Sequence, residues 1–95
     1  MKVGIIGLGK MGKIHYKVLQ DLQKEGLVNE ICVYDIDPNV KGFNDFNSFM
    51  GYCDYFVIAT PTDCHIGYCY KLMETGKPIL CVILVSYLTR LLFLL

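Results

Sequence analysis

The chain has 95 residues with nine basic and nine acidic side chains, so its formal net charge is zero at pH 7. This length suits one small domain with a single core, and the balanced charge, with no basic stretch, argues against nucleic acid as a partner. Apolar residues make up 54% of the chain, but 14 of the 17 residues at positions 79–95 are apolar, so the excess lies in this last segment and the rest has an ordinary globular composition.

The five cysteines have no paired spacing, and glycines interrupt the apolar amino terminus too often for a signal peptide. We therefore expect a cytoplasmic protein with reduced, mostly buried thiols. His65 has Cys64 beside it and Cys69 four residues on, a spacing that invites a zinc interpretation. Structural zinc needs four ligands, and no second cysteine or histidine pair completes the set, so no metal site is expected.

The glycine motif Gly7-Leu-Gly-Lys-Met-Gly12 follows an apolar, β-branched segment that predicts a buried strand over residues 3–6. In such a motif the first glycine permits a tight turn, the second lets the backbone approach a pyrophosphate, and the third lets the helix lie close to the sheet. Backbone amides around Lys10 and Met11 would then hold the anionic diphosphate. Helical spacing predicts a helix over residues 11–25 with four apolar residues on its buried face: Ile14, Val18, Leu19 and Leu22.

A second predicted strand, residues 31–34, ends at Asp35, 23 residues after Gly12. An acid about 20 residues after the glycine motif hydrogen-bonds the adenosine ribose, so the whole pattern predicts a dinucleotide site. A carboxylate there accepts from the ribose hydroxyls of NAD and repels the 2′-phosphate of NADP, which favours NAD, although Lys41 is near in sequence. Asp35 could instead only start the turn that includes Asp37, or each of the two aspartates could do one of these jobs.

Residues 55–59 predict a further strand, ended by Thr60-Pro-Thr62. Ligands of open α/β sheets lie over the carboxyl ends of the strands, so this loop should face the same crevice as the glycine motif. A helix over residues 63–75 is predicted to turn three side chains inward: Ile66, Tyr70 and Met73. A last strand is predicted over residues 79–81. The sequence thus predicts a three-layer α/β fold with a short, mostly parallel sheet, in which the first predicted strand and the strand over residues 55–59 are central.

Four segments carry a resemblance to a known family: Gly7-Leu-Gly-Lys-Met-Gly-x-x-His15, Asp35 at the end of the second strand, Ala59-Thr-Pro-Thr-x-x-His65, and Gly76-Lys-Pro-Ile-Leu-Cys81. In this order and spacing they resemble the nucleotide-binding half of the glucose-fructose oxidoreductase / inositol dehydrogenase (Gfo/Idh/MocA) family. Members of the family are NAD(P)-dependent oxidoreductases that move hydride to or from sugars, inositols and related polyols. The resemblance implies a Rossmann-type NAD(P)-binding domain over residues 1–81, with a dinucleotide as its partner.

The resemblance also implies which residues surround the cofactor. The pyrophosphate would be held by Gly7, Gly9, Lys10, Met11 and Gly12. Asp35 would take the adenosine ribose, and Ile36 would lie beside the adenine. Thr60 and Pro61 would line the nicotinamide side, with His65 at the mouth of the cleft. His15 is interpreted as a core or interface histidine without a catalytic role.

The sequence departs from the family pattern at two places. Too few residues separate Asp37 from the β-like residues 40–43 for the usual second helix, because a parallel crossover needs at least ~10–12 residues. We expect that edge strand to be reached by a turn or to be missing, with weaker cofactor binding as a result. The family continues after the last strand with Glu-Lys-Pro, whose lysine contributes to the catalytic site, and with a substrate domain. Here Val82-Ile-Leu84 stand at those places, so no catalytic residue is assigned in this chain.

Three interpretations of the apolar segment 82–95 stay open. An out-of-frame or prematurely ended product is favoured, because the resemblance stops inside a motif. A membrane anchor over residues 79–95 would be short of the ~20 apolar residues of a spanning helix and would include Arg90. The segment could also fold back over the sheet edge.

The function expected from the sequence is NAD(P) binding by the cofactor half of a Gfo/Idh/MocA-like oxidoreductase, without hydride transfer. The alternative is a non-enzymatic NAD(H)-binding or interaction module, and one form of this alternative adds membrane attachment through residues 79–95. Exposure of that segment would favour homo-oligomers or membrane association.

Overall fold

The computed structural model describes residues 1–60 and 62–81, leaving aside the side chains of residues 62–65. The apolar segment 82–95, with its three interpretations, therefore lies outside the described residues. The described chain forms four strands and three helices in this order: β1 (Lys2–Ile6), α1 (Lys10–Lys24), β2 (Glu30–Tyr34), α2 (Phe46–Tyr52), β3 (Tyr55–Ile58), α3 (Thr62–Met73) and β4 (Ile79–Cys81).

The four strands form one parallel sheet in the order β2-β1-β3-β4. Ile5 at the centre of β1 pairs with Val33 of β2 on one side and with Val57 of β3 on the other. Such doubly flanked parallel strands need continuous apolar sequence, which β1 and β3 have. The predicted fold class is confirmed, and so are the two central strands.

Neighbouring residues of a strand point to opposite sides of the sheet. Each face therefore has its own apolar core, and helices cover both faces. Ile5 belongs to a core on the α1 side, with Val3, Val28 and Val57. Ile6 belongs to the larger core on the opposite side, under α2 and α3. Its buried members are Ile6, Cys32, Phe49, Cys53, Phe56, Ile58 and Leu72. The result is the predicted three-layer arrangement.

The crossover from β2 to β3 contains α2, a helix that the sequence analysis did not predict. Asp45 starts it, and its carboxylate accepts hydrogen bonds from the Ser48 backbone N–H at 3.1 Å and from the Ser48 hydroxyl at 2.7 Å. These bonds lower the pKa of Asp45, the hydroxyl bond most. At the other end the Lys77 ammonium donates to the Met50 carbonyl at 2.8 Å. Phe49 lies between these ends and is fully buried, which anchors the helix on the sheet.

The edge strand expected at residues 40–43 is reduced to a single bridge. The Phe43 N–H donates to the Val33 carbonyl at 2.8 Å, and Phe43 pairs with Tyr34. In the described part of the chain no strand lies beyond β2. Of the two outcomes expected for this edge, the missing strand is therefore the one observed.

The predicted buried faces of the two long helices are partly wrong. On α3, Ile66, Tyr70 and Met73 are about two-thirds exposed, while Leu72 is fully buried. Apolar residues occur on all sides of α3, so helical spacing alone could not select the face that meets the sheet. On α1 only Leu19 and Leu22 of the four predicted residues pack against the core, with Tyr16. Ile14 and Val18 are half exposed, because α1 lies over β1 and β2 and leaves this side uncovered.

The prediction of mostly buried thiols is correct for two of the four cysteines whose side chains are described. Cys32 and Cys53 are buried, Cys69 is half-buried, and Cys81 at the end of β4 is exposed. His15 on α1 is half-buried beside Leu19. No helix within residues 1–60 and 62–81 is long and apolar enough to cross a membrane.

Candidate functional site

The order of the strands places a crevice at one end of the sheet. From β1 the chain moves outward to β2, whereas from β3 it moves in the opposite direction to β4. In open α/β sheets the ligand lies where the direction reverses, over the carboxyl ends of the two strands. A cleft of about 290 Å³ lies there. Its lining residues are Ile6, Gly7, Gly9, Tyr34, Asp35, Ile36, Ala59, Thr60 and Tyr68.

Gly7 makes the turn out of β1. Its φ is +90°, a conformation that other residues rarely adopt. A Cβ there would also come within 3.1 Å of the Ala59 carbonyl oxygen. The Gly7 N–H donates to the Tyr34 carbonyl at 2.9 Å, which extends the β1·β2 ladder to the edge of the cleft. The turn is thus held between the ends of β2 and β3.

Gly12 allows α1 to lie directly against this turn. A Cβ at Gly12 would be 2.0 Å from the Gly7 carbonyl oxygen, which no side chain tolerates. The third glycine of the motif is therefore required by contacts within the protein. Its effect on a ligand is indirect, because it sets how closely the helix start approaches the cleft.

Gly9 differs from both, because nothing in the described protein lies within 4 Å of the Cβ position. It is the N-cap residue of α1, and no side chain caps the helix there. The first turn of α1, which begins with Lys10 and Met11, also has no acidic residue, whereas α2 is capped by Asp45. Within the described residues, no side chain therefore caps these amides, and the start of the helix lies beside the open space at Gly9, a combination that favours an anion.

Asp35 connects the glycine turn to the end of β2. One carboxylate oxygen accepts from the Leu8 backbone N–H at 2.8 Å, and the other accepts from the Asp37 N–H at 2.9 Å. Asp37 in turn accepts from the Asn39 N–H at 2.9 Å. Both aspartates therefore take part in turns, which is the alternative that the sequence left open for Asp35 beside ribose binding. A carboxylate has about four acceptor positions, so Asp35 keeps capacity for ribose hydroxyls.

Thr60 brings an unsatisfied hydroxyl to the opposite wall of the cleft. Its Oγ1 is buried and has no hydrogen-bond partner among the described residues. Buried polar atoms in folded proteins almost always have a partner, so this hydroxyl is suited to a ligand. The Thr60 methyl group lies 3.0 Å from the position of a Gly7 Cβ, which places the hydroxyl beside the glycine turn.

The structure brings together most of the residues predicted for the site. Gly7, Gly9, Asp35, Ile36 and Thr60 all line the cleft. Lys10 and Met11 begin α1 beside it, and Ile36 is 79% exposed at its rim. The Pro61 and His65 side chains, also predicted, lie outside the described part.

Tyr34 and Tyr68 line the cleft but were not predicted. The Tyr34 position at the end of β2 could have identified it, because the carboxyl ends of strands face the crevice. Tyr68 reaches the cleft from α3, and its ring lies 5.4 Å from the Phe46 ring, centroid to centroid. No local signal in the sequence marked that contact, because Phe46 begins the helix that was not predicted.

Comparisons with known proteins agree with this geometry. Residues 1–81 match the Gfo/Idh/MocA family model, described as an oxidoreductase family with an NAD-binding Rossmann fold. Two crystal structures of UDP-N-acetylglucosamine 3-dehydrogenase from Acidithiobacillus ferrooxidans superpose with a TM-score of 0.69 at 21% sequence identity. The superposition covers 85% of this chain but only 28% and 29% of those chains. A search of curated proteins finds no match.

Proposed function

Because the chain belongs to the Gfo/Idh/MocA family of oxidoreductases, with its NAD-binding Rossmann fold, we propose that the cleft between β1 and β3 binds NAD in preference to NADP. One observation carries the proposal: the uncapped start of α1 at Gly9 opens onto the same cleft as the unpartnered Thr60 hydroxyl. Both features leave polar groups without partners among the described residues, and an anionic ligand with hydroxyl groups supplies what they lack.

The diphosphate is assigned to the start of α1. There the free amides of Lys10 and Met11 and the missing Cβ of Gly9 allow close approach. Gly7 and Gly12 act by shaping this turn. On the β2 side, Asp35 accepts from the adenosine ribose and the exposed Ile36 side chain covers the adenine.

Thr60 lies on the opposite wall, so we assign it to the nicotinamide half together with Pro61 and His65. The last two assignments rest on the family motif alone. The bound cofactor supplies a hydride carrier, and these residues hold and orient it.

The preference for NAD rests on charge. Asp35 is the one charged residue among the described cleft-lining residues, and a 2′-phosphate beside its carboxylate would be repelled. Lys41, the cation nearest in sequence, lines a separate groove on the outer side of β2. This position of Lys41 supports the proposed preference for NAD.

Binding is proposed without hydride transfer by this chain. The family uses a lysine of Glu-Lys-Pro after the strand that corresponds to β4, and residues 82–84 are Val-Ile-Leu here. The similar dehydrogenase acts on UDP-N-acetylglucosamine, and this chain spans 28% of its length. A sugar or polyol substrate therefore belongs to the proposal only at the level of the family. Cytoplasmic location remains a prediction from the cysteines.

Titration calorimetry of the full chain with NAD and NADP tests the binding site. Gly9→Ala adds a methyl group where the diphosphate approaches, so NAD affinity should fall at least tenfold, about 1.4 kcal/mol. Gly51→Ala is the matched control, because Gly51 is exposed on α2 with no atom within 4 Å of its Cβ position. It should leave NAD affinity unchanged.

Asp35→Asn removes the charge and keeps one of the two backbone contacts of this side chain. The amide oxygen still accepts from one backbone N–H, while the negative charge is removed, so the ratio of NADP to NAD affinity should rise about tenfold. Equal NAD binding by the Gly9→Ala and Gly51→Ala variants would place the nucleotide elsewhere. NADH production by the purified chain with a sugar or polyol and NAD would overturn the proposed lack of turnover.

A further inference from the structure

Two cysteines on different elements lie in direct contact, and neither lines the proposed cofactor cleft. Cys69 is on α3 and Cys81 is the last residue of β4, and their sulfur atoms are 3.0 Å apart. A disulfide bond is about 2.05 Å long, so a closure of roughly 1 Å would join the two sulfurs. Cys69 is half-buried and Cys81 is exposed, which leaves the pair accessible to a small molecule.

The other two described cysteines form a contrast within the same protein. Cys32 is 5% exposed and Cys53 is fully buried in the core under α2 and α3. Burial is the largest cause that raises the pKa of Cys32, to about 12. This burial should make both thiols react with a small oxidant more slowly than the Cys69–Cys81 pair.

We propose that Cys69 and Cys81 are a redox-active dithiol that closes to an intramolecular disulfide with a small-molecule disulfide as oxidant. The thiolate of one of the two cysteines attacks a sulfur of the oxidant. This forms a mixed disulfide between the protein and one half of the oxidant and releases the other half as a thiol. The second protein sulfur then displaces the half in the mixed disulfide as a second thiol. Two S–H bonds of the protein and the S–S bond of the oxidant are lost, and one S–S bond in the protein and two small thiols are formed.

The disulfide would join the cleft wall to the end of the sheet. Cys69 directly follows Tyr68, which lines the cleft, and Cys81 ends the strand that pairs with β3. The link would close a loop that contains the end of α3 and the turn before β4. Partial desolvation, followed by the hydrogen bond between Cys81 and Cys69, raises the pKa of Cys81 to about 11. Cys81 is therefore protonated near neutral pH, and we expect closure over minutes to hours with mild oxidants.

The test incubates the full chain, in non-ionic detergent if needed, with oxidised glutathione and then blocks the remaining thiols. Trypsin cuts after Lys71 but not before Pro78, so the disulfide should join peptides 42–71 and 72–90. Fragmentation of this pair should place the bond on Cys69 and not on Cys53 or Cys64. Dithiothreitol should remove the link. Cys69→Ser and Cys81→Ser should each lower the linked product at least tenfold.

Two controls decide whether the folded geometry causes the link. Cys64→Ser should leave the product unchanged, and the same oxidation in urea should give a mixture of pairings in place of one. The proposal is overturned if the native chain gives the same mixture as the unfolded chain. It is also overturned if Cys69→Ser leaves the cross-link at its original level. Neither result bears on nucleotide binding, which is measured separately with the reduced protein.

Discussion

Replacement of Gly12 by alanine should damage the fold more than any other single methyl addition in the glycine motif. The new Cβ would lie 2.0 Å from the Gly7 carbonyl oxygen, where an ordinary contact begins at 3.4 Å, so two backbone segments must separate by more than 1 Å. Overpacking of this kind costs about 1–3 kcal/mol. We expect a value near the upper end, because backbone atoms cannot move aside as a side chain can.

That loss is large for a domain of this size. Each 1 kcal/mol lowers the melting temperature by about 4–8 °C in domains of 60–100 residues, so Gly12→Ala should melt roughly 12–24 °C below the parent protein. Thermal unfolding followed by circular dichroism measures this directly. Urea unfolding should show a midpoint lower by about 1–3 M, since a loss of about 3 kcal/mol is divided by a slope of about 1–3 kcal/mol per M for small proteins.

Gly9→Ala is the matched comparison, since it adds the same methyl group three residues earlier. Its Cβ meets no described atom within 4 Å, and its φ of −76° suits alanine. Stability should change by less than about 0.5 kcal/mol, because a weaker N-cap is offset by a less flexible unfolded chain. If the two variants melt at the same temperature, the close contact between α1 and the Gly7 turn does not exist as described.

Three further outcomes are expected. Asp45→Ala should lower the melting temperature at pH 7. The difference in melting temperature between the variant and the parent should shrink as the pH falls below the ordinary Asp pKa of 3.8 and through the lowered pKa of folded Asp45, because protonation then removes from the parent the charged cap that the variant already lacks. A difference of unchanged size at pH 2 would contradict this. Lys77→Met should cost about 1 kcal/mol in urea unfolding, because the Met50 carbonyl at the end of α2 loses its charged donor, and an unchanged midpoint would show that water replaces it. Deletion of residues 82–95 should increase solubility and leave NAD affinity intact, as measured by size-exclusion chromatography without detergent and by calorimetry; a monomeric, soluble full chain would contradict the first part.

Much of the site could be predicted because its residues are constrained locally. Gly7 has a conformation that its position in the turn demands, and Gly12 faces a backbone atom five residues earlier in the chain. Asp35 follows β2 at a spacing set by the length of one helix and one strand. Such short-range constraints leave patterns that can be read along the sequence. The dual use of Asp35, which binds the Leu8 amide as well as the turn, depends on strand order and left no such pattern.

The elements that were missed depend on contacts between distant residues. The segment Phe46–Tyr52 has aromatic residues at a spacing of three, which is compatible with a helix, but glycine and serine weaken the pattern. Its position is stabilised by Phe49 under the sheet and by Lys77, 27 residues after Met50. The inward face of α3 depends in the same way on Leu72, which meets the core formed by the rest of the chain.

The central position of β1 has a consequence for how the chain folds. Val3 pairs with Ile31 on one side and with Tyr55 on the other, so one neighbour is much farther along the chain than the other. A β1-α1-β2 unit can form early, but it leaves Ile6 without the buried environment that β3 and the aromatic residues of α2 provide. Parallel pairings between distant segments form slowly. We expect docking of β3 onto β1 to be the rate-limiting step, so that truncation of Val57 slows refolding more than it accelerates unfolding.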